Sequence, residues 1–173
     1  MWNMKWKRAA AIIAAGIMCL LPFVPFKQCV VLESLKHESK DVLIPLRGME
    51  DEFSILYTHS IHLSDVLEVY EADADFNIVQ TTLIYEDTAI GMPGDAAGEE
   101  VFSRTQDGKY KISNMNRVFP YVDISIGQVA ANHRFIYNEK VYPLADYFEK
   151  GTLIRMSVQN QSLFQFWKGV ILK

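Results

Sequence analysis

Two of the four histidines lie in one short stretch of this 173-residue chain, Tyr57-Thr58-His59-Ser60-Ile61-His62-Leu63-Ser64-Asp65-Val66-Leu67-Glu68-Val69-Tyr70. An imidazole and a carboxylate within hydrogen-bond reach can pass a proton or hold a polar ligand, and a second imidazole would extend the pair toward a metal site. The stretch reads as two strands folded back on each other. With His62-Leu63-Ser64-Asp65 as the turn, a two-residue loop pairs His62 with Asp65 and a four-residue loop pairs Ile61 with Val66. Either loop sets His59 opposite Glu68, Tyr57 opposite Tyr70 and Ile55 opposite Ala72. Directly opposed residues have Cβ atoms about 4.5–5.5 Å apart, so the spacing predicts a His59–Glu68 pair on a largely apolar face. That pair has a structural reading, a buried polar contact that holds the strands in register, and a functional one, a ligand- or proton-handling site.

Strand parity removes several combinations. His59 and Ser60 are adjacent and point to opposite faces, so they form no nucleophile–base dyad with each other. His59 and His62 also differ in parity. A two-histidine, one-carboxylate set requires His133 to meet His59 and Glu68. No GxSxG, P-loop, HExxH or CxxC pattern occurs, and no motif names a cofactor, a metal site or a catalytic residue. Trp167 reads as core packing, Trp2 and Trp6 as interfacial residues of an N-terminal anchor, and His37 as a solvated residue in a charged connector.

The elements that must position these residues are strands. Period-two patterns dominate and long helical periods are missing. Strands are expected at residues 29–35, 42–46, 53–61, 66–70, 78–85, 109–112, 121–126, 134–137, 153–158 and 164–171, with one short helix at 144–150. Asp73-Ala74-Asp75, Asp107-Gly108, Gly127 and Asn138-Glu139 supply the turns, the last as a tight hairpin between two β-rich runs. Many short strands at this spacing indicate an all-β fold, an antiparallel β-sandwich or barrel-like domain. Residues 87–107 form the one long loop, rich in glycine and carrying Gly91, Pro93 and a Glu99-Glu100 pair. Loops of this length are often functional.

Lys5, Lys7 and Arg8 precede residues 9–26, an uncharged run of 18 residues. As one helix at about 1.5 Å per residue it would span roughly 27 Å, close to the ~30 Å hydrocarbon core. No small-residue cleavage site follows the run, and neither Cys19 nor Cys29 has the small residues that precede a lipidated cysteine. The segment therefore reads as an uncleaved single-pass anchor rather than a cleaved signal, entering the membrane through residues 6–26, although Pro22 and Pro25 shorten the unbroken helix. The basic cluster puts the N-terminus in the cytoplasm and the rest outside. The expected division is an anchor or signal segment at 1–28 and an extracytoplasmic β domain at 29–173. Four of the 17 Lys and Arg belong to the first part and all 21 Asp and Glu to the second, so the β domain is acidic. An acidic domain without a basic stripe is a poor nucleic-acid binder. With no second cysteine in that domain, packing rather than a disulfide must hold it.

Tyr57-Thr58-His59-Ser60 followed by Glu68-Val69-Tyr70, then Ala89-Ile90-Gly91-Met92-Pro93, then Asn132-His133-Arg134-Phe135 resembles, in order and spacing, the bacterial family called domain of unknown function 1850. The family often lies beside subunits of TAXI-type TRAP transporters. Its loop commonly carries two glycines and a proline; Thr88-Ala89-Ile90-Gly91-Met92-Pro93 keeps the second glycine and the proline. The resemblance carries no established activity. It implies association with solute uptake at the membrane, with TRAP transporter subunits as partners and with His59, Ser60, Glu68, Gly91, Pro93 and His133 as binding candidates. Two other functions stay open: a metal-assisted or acid/base hydrolase using His59, Glu68 and His133, and a purely structural domain.

Overall fold

The computed structural model describes residues 2–36, 39–48, 51–60, 63–87, 92–127 and 131–172. Helix α1 (Trp2–Leu20) leads through a 3-10 turn at Leu21–Phe23 into the first of thirteen strands among the described residues. In chain order these are β1 (Pro25–Ser34), β2 (Val42–Pro45), β3 (Phe53–Thr58), β4 (Asp65–Ala72), β5 (Ile78–Tyr85), β6 (Val101–Arg104), β7 (Tyr110–Ser113), β8 (Arg117–Phe119), β9 (Val122–Ser125), β10 (Arg134–Tyr137), β11 (Lys140–Pro143), β12 (Leu153–Ser162) and β13 (Val170–Ile171). A six-residue helix, α2 (Leu163–Lys168), separates the last two.

The strands form two sheets. One has the order β13-β2-β1-β12-β9; the other runs β11-β10-β3-β4-β5-β7-β6, with β8 pairing the far end of β5. All pairings are antiparallel except β13 with β2. The expected all-β fold is therefore a sandwich, with no barrel closure. Alternation explains the core. Val30, Leu32, Ile44, Ile154 and Met156 face inward from the smaller sheet, and Phe53, Ile55, Tyr70, Ile78 and Phe135 meet them from the larger. Phe53 stacks on both Tyr70 and Phe135, with ring centroids 6.0 and 5.8 Å apart. The opposite parity of β1 and β2 (Cys29, Val31, Leu43) is buried too, because Phe166 of α2 packs over that outer face.

Several elements differ from the sequence expectation. The apolar run is not one helix: α1 begins before it, ends at Leu20, and gives way to the turn holding Pro22, so Phe26 already lies in β1. Residues 164–171 are not one strand: α2 takes the first part, and only Val170–Ile171 pair as β13. Ser162 accepts a hydrogen bond from the Gln165 backbone while the Gln165 side chain reaches back to the Ser162 N–H, a capping box that starts α2. Consequently Trp167 is 80% exposed instead of packed in the core. The short helix expected at 144–150 shrinks to a 3-10 turn, Leu144–Asp146. The long loop at 87–107 contains β6. The Asn138-Glu139 hairpin is as expected, both residues having positive φ (50° and 62°) between β10 and β11. His37 lies outside the described residues.

Candidate functional site

The β3–β4 hairpin forms in a register different from the expected one. Ile55, not His59, lies opposite Glu68; Phe53 pairs with Tyr70 and Tyr57 with Val66. The turn is centred two residues earlier. The His59 N–H donates to the Ser64 carbonyl at 2.8 Å, the Leu63 N–H donates to the His59 carbonyl at 2.9 Å, and Leu63 takes a left-handed conformation at φ 53°. Thr58 then bonds across the strands to Asp65 at 3.0 Å. Because the slip is an even number of residues, every side chain keeps its face, which is why alternation alone could not choose between the registers.

The inward face of the larger sheet therefore still gathers the predicted chemistry around Glu68. Tyr70 donates its hydroxyl to Glu68 Oε2 at 2.8 Å, and Tyr57 hydrogen-bonds the same carboxyl group. From β10, Phe135 pairs with Ile55. Two residues back along that face His133 stacks on Tyr57, with ring centroids 5.4 Å apart. Its Nδ1 is buried and has no hydrogen-bond partner among the described residues. A register shift between Val69 and Tyr70 brings Gln80 opposite Tyr70, where it is buried.

Across the sandwich, the chain crosses from β8 of one sheet to β9 of the other through Phe119, Tyr121 and Val122. This crossover walls a cavity of about 550 Å³ lined also by Tyr57, Glu68, Tyr70, Gln80, His133, Asp123 and Ser125. Arg155 braces the wall from outside: it holds Asp123 through two hydrogen bonds of 2.8 and 2.9 Å, with its guanidinium 3.6 Å above the Tyr121 ring. That pairing lowers the Asp123 pKa.

Burial acts in opposite directions on the two titratable groups at the cavity floor. It raises the Glu68 carboxyl above the ordinary carboxylate range, against the opposing pull of the Tyr70 and Tyr57 hydroxyls. It lowers the His133 imidazole. Burial and the neighbouring Glu68 raise both tyrosine hydroxyls, keeping them protonated donors. The floor thus offers a carboxyl group with a raised pKa, two phenol donors, an amide and an imidazole with a lowered pKa. Such a set can hold a polar molecule by several hydrogen bonds.

The predicted residues divide accordingly. Glu68 and His133 line one cavity. His59 sits at the hairpin turn and Ser60 is exposed beside it; neither lines the cavity. Gly91 lies outside the described residues. Pro93 accepts a hydrogen bond from the Tyr85 hydroxyl, and Met92 packs against the cluster that contains Val66, Leu83 and Tyr85. This loop covers a second apolar cluster, which Tyr57 borders as well as the main core. Among the described residues no group of three or more His, Cys, Asp or Glu side chains is placed to hold a metal ion. Sequence reasoning passed over Tyr57, Tyr70 and Gln80 as site residues. The signal was present for the tyrosines, which share parity with Glu68; the bulge that turns Gln80 inward has none.

A family model described as Domain of unknown function (DUF1850) matches residues 53–144, more than half of the chain. The chain belongs to the DUF1850 family. Every residue that lines the cavity falls within the matched segment. In this DUF1850 member the strands β1, β2, β12 and β13 and both helices lie outside it. No curated protein and no solved structure matches the chain.

Proposed function

We propose that this DUF1850 protein is a membrane-anchored binding or accessory domain that works outside the cytoplasm, and that the cavity between its sheets is its recognition site. One observation carries the reading: Glu68, Tyr57, Tyr70, Gln80 and His133 converge on a cavity of about 550 Å³, in the range of small-molecule sites. The His133 Nδ1, without a partner among the described residues, is a hydrogen-bonding group that a bound molecule would satisfy. Apolar walls from Ile55, Phe119 and Ile124 beside this polar floor suit a compact solute with a polar head and an apolar flank. The anchor is α1 with the turn that follows it: Trp6–Phe23 is long and apolar enough to be a single membrane span or a signal sequence. The basic residues before it support an outside β domain.

The partner we propose is a TRAP-type transporter, on the family resemblance in residues 57–60, 68–70, 89–93 and 132–135. Deleting the gene is expected to impair uptake of the neighbouring transporter's solute, and the full chain is expected to co-purify with transporter subunits from detergent-solubilised membranes. Unchanged uptake without co-purification overturns the transporter assignment.

A second reading, acid/base catalysis, is favoured by the shared cavity of Glu68 and His133. It requires the two groups to act without His59. Turnover of a hydrolysable solute that disappears in Glu68→Gln but survives in His59→Gln would establish it; binding without turnover in the native chain would remove it.

A further inference from the structure

We propose that α2 is a lipid-surface contact: its exposed apolar side, continuous with the end of α1, rests in the headgroup region of the bilayer and fixes the tilt of the sandwich on the membrane. The inference rests on the reading of α1 as a membrane anchor.

The argument starts from chain length. Only four residues separate Leu20, the last of α1, from Pro25, the first of β1. Fully extended they reach at most about 14 Å, and three of them form a 3-10 turn, which rises only about 2 Å per residue. A sandwich joined this closely to a spanning helix has one end at the membrane surface.

That end is α2. Phe23 of the turn packs on Phe164 with ring centroids 4.9 Å apart, Phe164 packs on Trp167 at 6.3 Å, and Phe26 of β1 packs on Phe166 at 5.8 Å. Phe166 points inward to the sheet. Leu163 and Trp167, one turn apart on the helix, do not: they are more than half exposed, as are Phe23, Val24 and Phe26. A soluble face rarely leaves so many large apolar side chains together in water.

The chemistry of the patch matches a bilayer interface. Tryptophan concentrates at the headgroup level, where its ring is buried and its N–H stays wet. Lys168 lies over the Phe164 ring at 4.6 Å, and Lys27 follows Phe26. Both can lay their stems on the apolar surface and carry their ammonium groups to lipid phosphates.

The test uses the full chain in phospholipid nanodiscs. Replacing Trp2 and Trp6 by Phe leaves Trp167 as the single tryptophan; replacing Trp2 and Trp167 by Phe leaves Trp6 to report on α1. Lipids brominated near the headgroup are expected to quench Trp167 more strongly than lipids brominated near the chain ends, with emission blue-shifted from that of the urea-unfolded chain. Quenching of Trp6 but not of Trp167, with Trp167 open to aqueous acrylamide, overturns the proposal and leaves the anchor standing. Trp167 shielded from both bromine and acrylamide means that protein, such as a second copy of the chain, covers the patch, and overturns the lipid assignment. Quenching of neither tryptophan removes the anchor and this inference with it.

Discussion

Glu68 and His133 share a cavity but answer to pH with opposite signs. Glu68 has a raised folded pKa, so the unfolded chain releases that proton first. Its contribution to stability is present below the ordinary value of 4.5 and is lost as pH rises from there through the folded pKa. Glu68→Gln removes the titration and leaves the amide oxygen to accept from Tyr70. Thermal unfolding of this variant should be less dependent on pH between about 4.5 and 7 and should give a higher Tm than the native chain at neutral pH; a Tm lowered at pH 7 would mean that the carboxylate is better solvated than its position indicates. For His133 the folded pKa is depressed. Stability is present above 6.5 and falls as pH drops below that value, where the unfolded imidazole takes up a proton that the folded one resists. His133→Phe keeps a ring against Tyr57 and removes the orphaned Nδ1. Urea unfolding should show a gain of about 1 kcal/mol, the scale of an unsatisfied buried polar group, growing below pH 6.5, together with loss of whatever solute the native chain binds. At this scale the sequence was informative about which groups share a face, since parity put Glu68, Tyr57 and Tyr70 together. Who touches whom was not legible, because a slip of register by an even number leaves parity untouched.

Turns decided that slip. Leu63 adopts φ 53°, a conformation in which a branched side chain is disfavoured, and the hairpin closes around His59 and Ser64. No Asn-Gly or Asp-Gly signal marks this turn, so its centre could not be read from composition. The β10–β11 turn was readable, because Asn138 is a favoured residue for positive φ between two β-rich runs. Glu139 is the less suitable half of that turn. Glu139→Gly converts it to Asn-Gly and should stabilise the protein by about 1 kcal/mol, the usual order of a left-handed penalty relieved, measured as a shift of the urea midpoint with unchanged slope. Residues 163–168 show the reverse error. Leu-Phe-Gln-Phe-Trp-Lys has strand-like composition, yet the Ser162–Gln165 capping box and the apolar outer face of β1 and β2 make it a helix. The capping pattern was visible in the sequence; the partner surface was not.

For the molecule as a whole, stability resides in the interdigitation of two sheets rather than in any covalent link. Cys29 is fully buried, its thiol pushed up to about 11 by burial, and Cys19 lies in α1. Ile154 belongs to the main core and has no exposed surface, and it pairs with both β1 and β9 in the smaller sheet. Ile154→Ala should cost about 2–5 kcal/mol by equilibrium denaturation, the range for deleting a buried aliphatic side chain; a much smaller loss would mean that the sheets can collapse onto the gap. The all-β class, the apolar N-terminal helix, the acidic balance of the β domain and the face on which Glu68 lies were legible in the chain alone. These follow from composition and from periodicity, which are local. Tertiary structure alone decided the register of the β3–β4 hairpin, the meeting of His133 with Tyr57 across β10, the separation of His59 from Glu68, and the wall formed where the chain crosses from β8 to β9. Those depend on turn conformation and on contact between segments far apart in the chain, as in Tyr57 and His133, 76 residues apart, which no local pattern encodes.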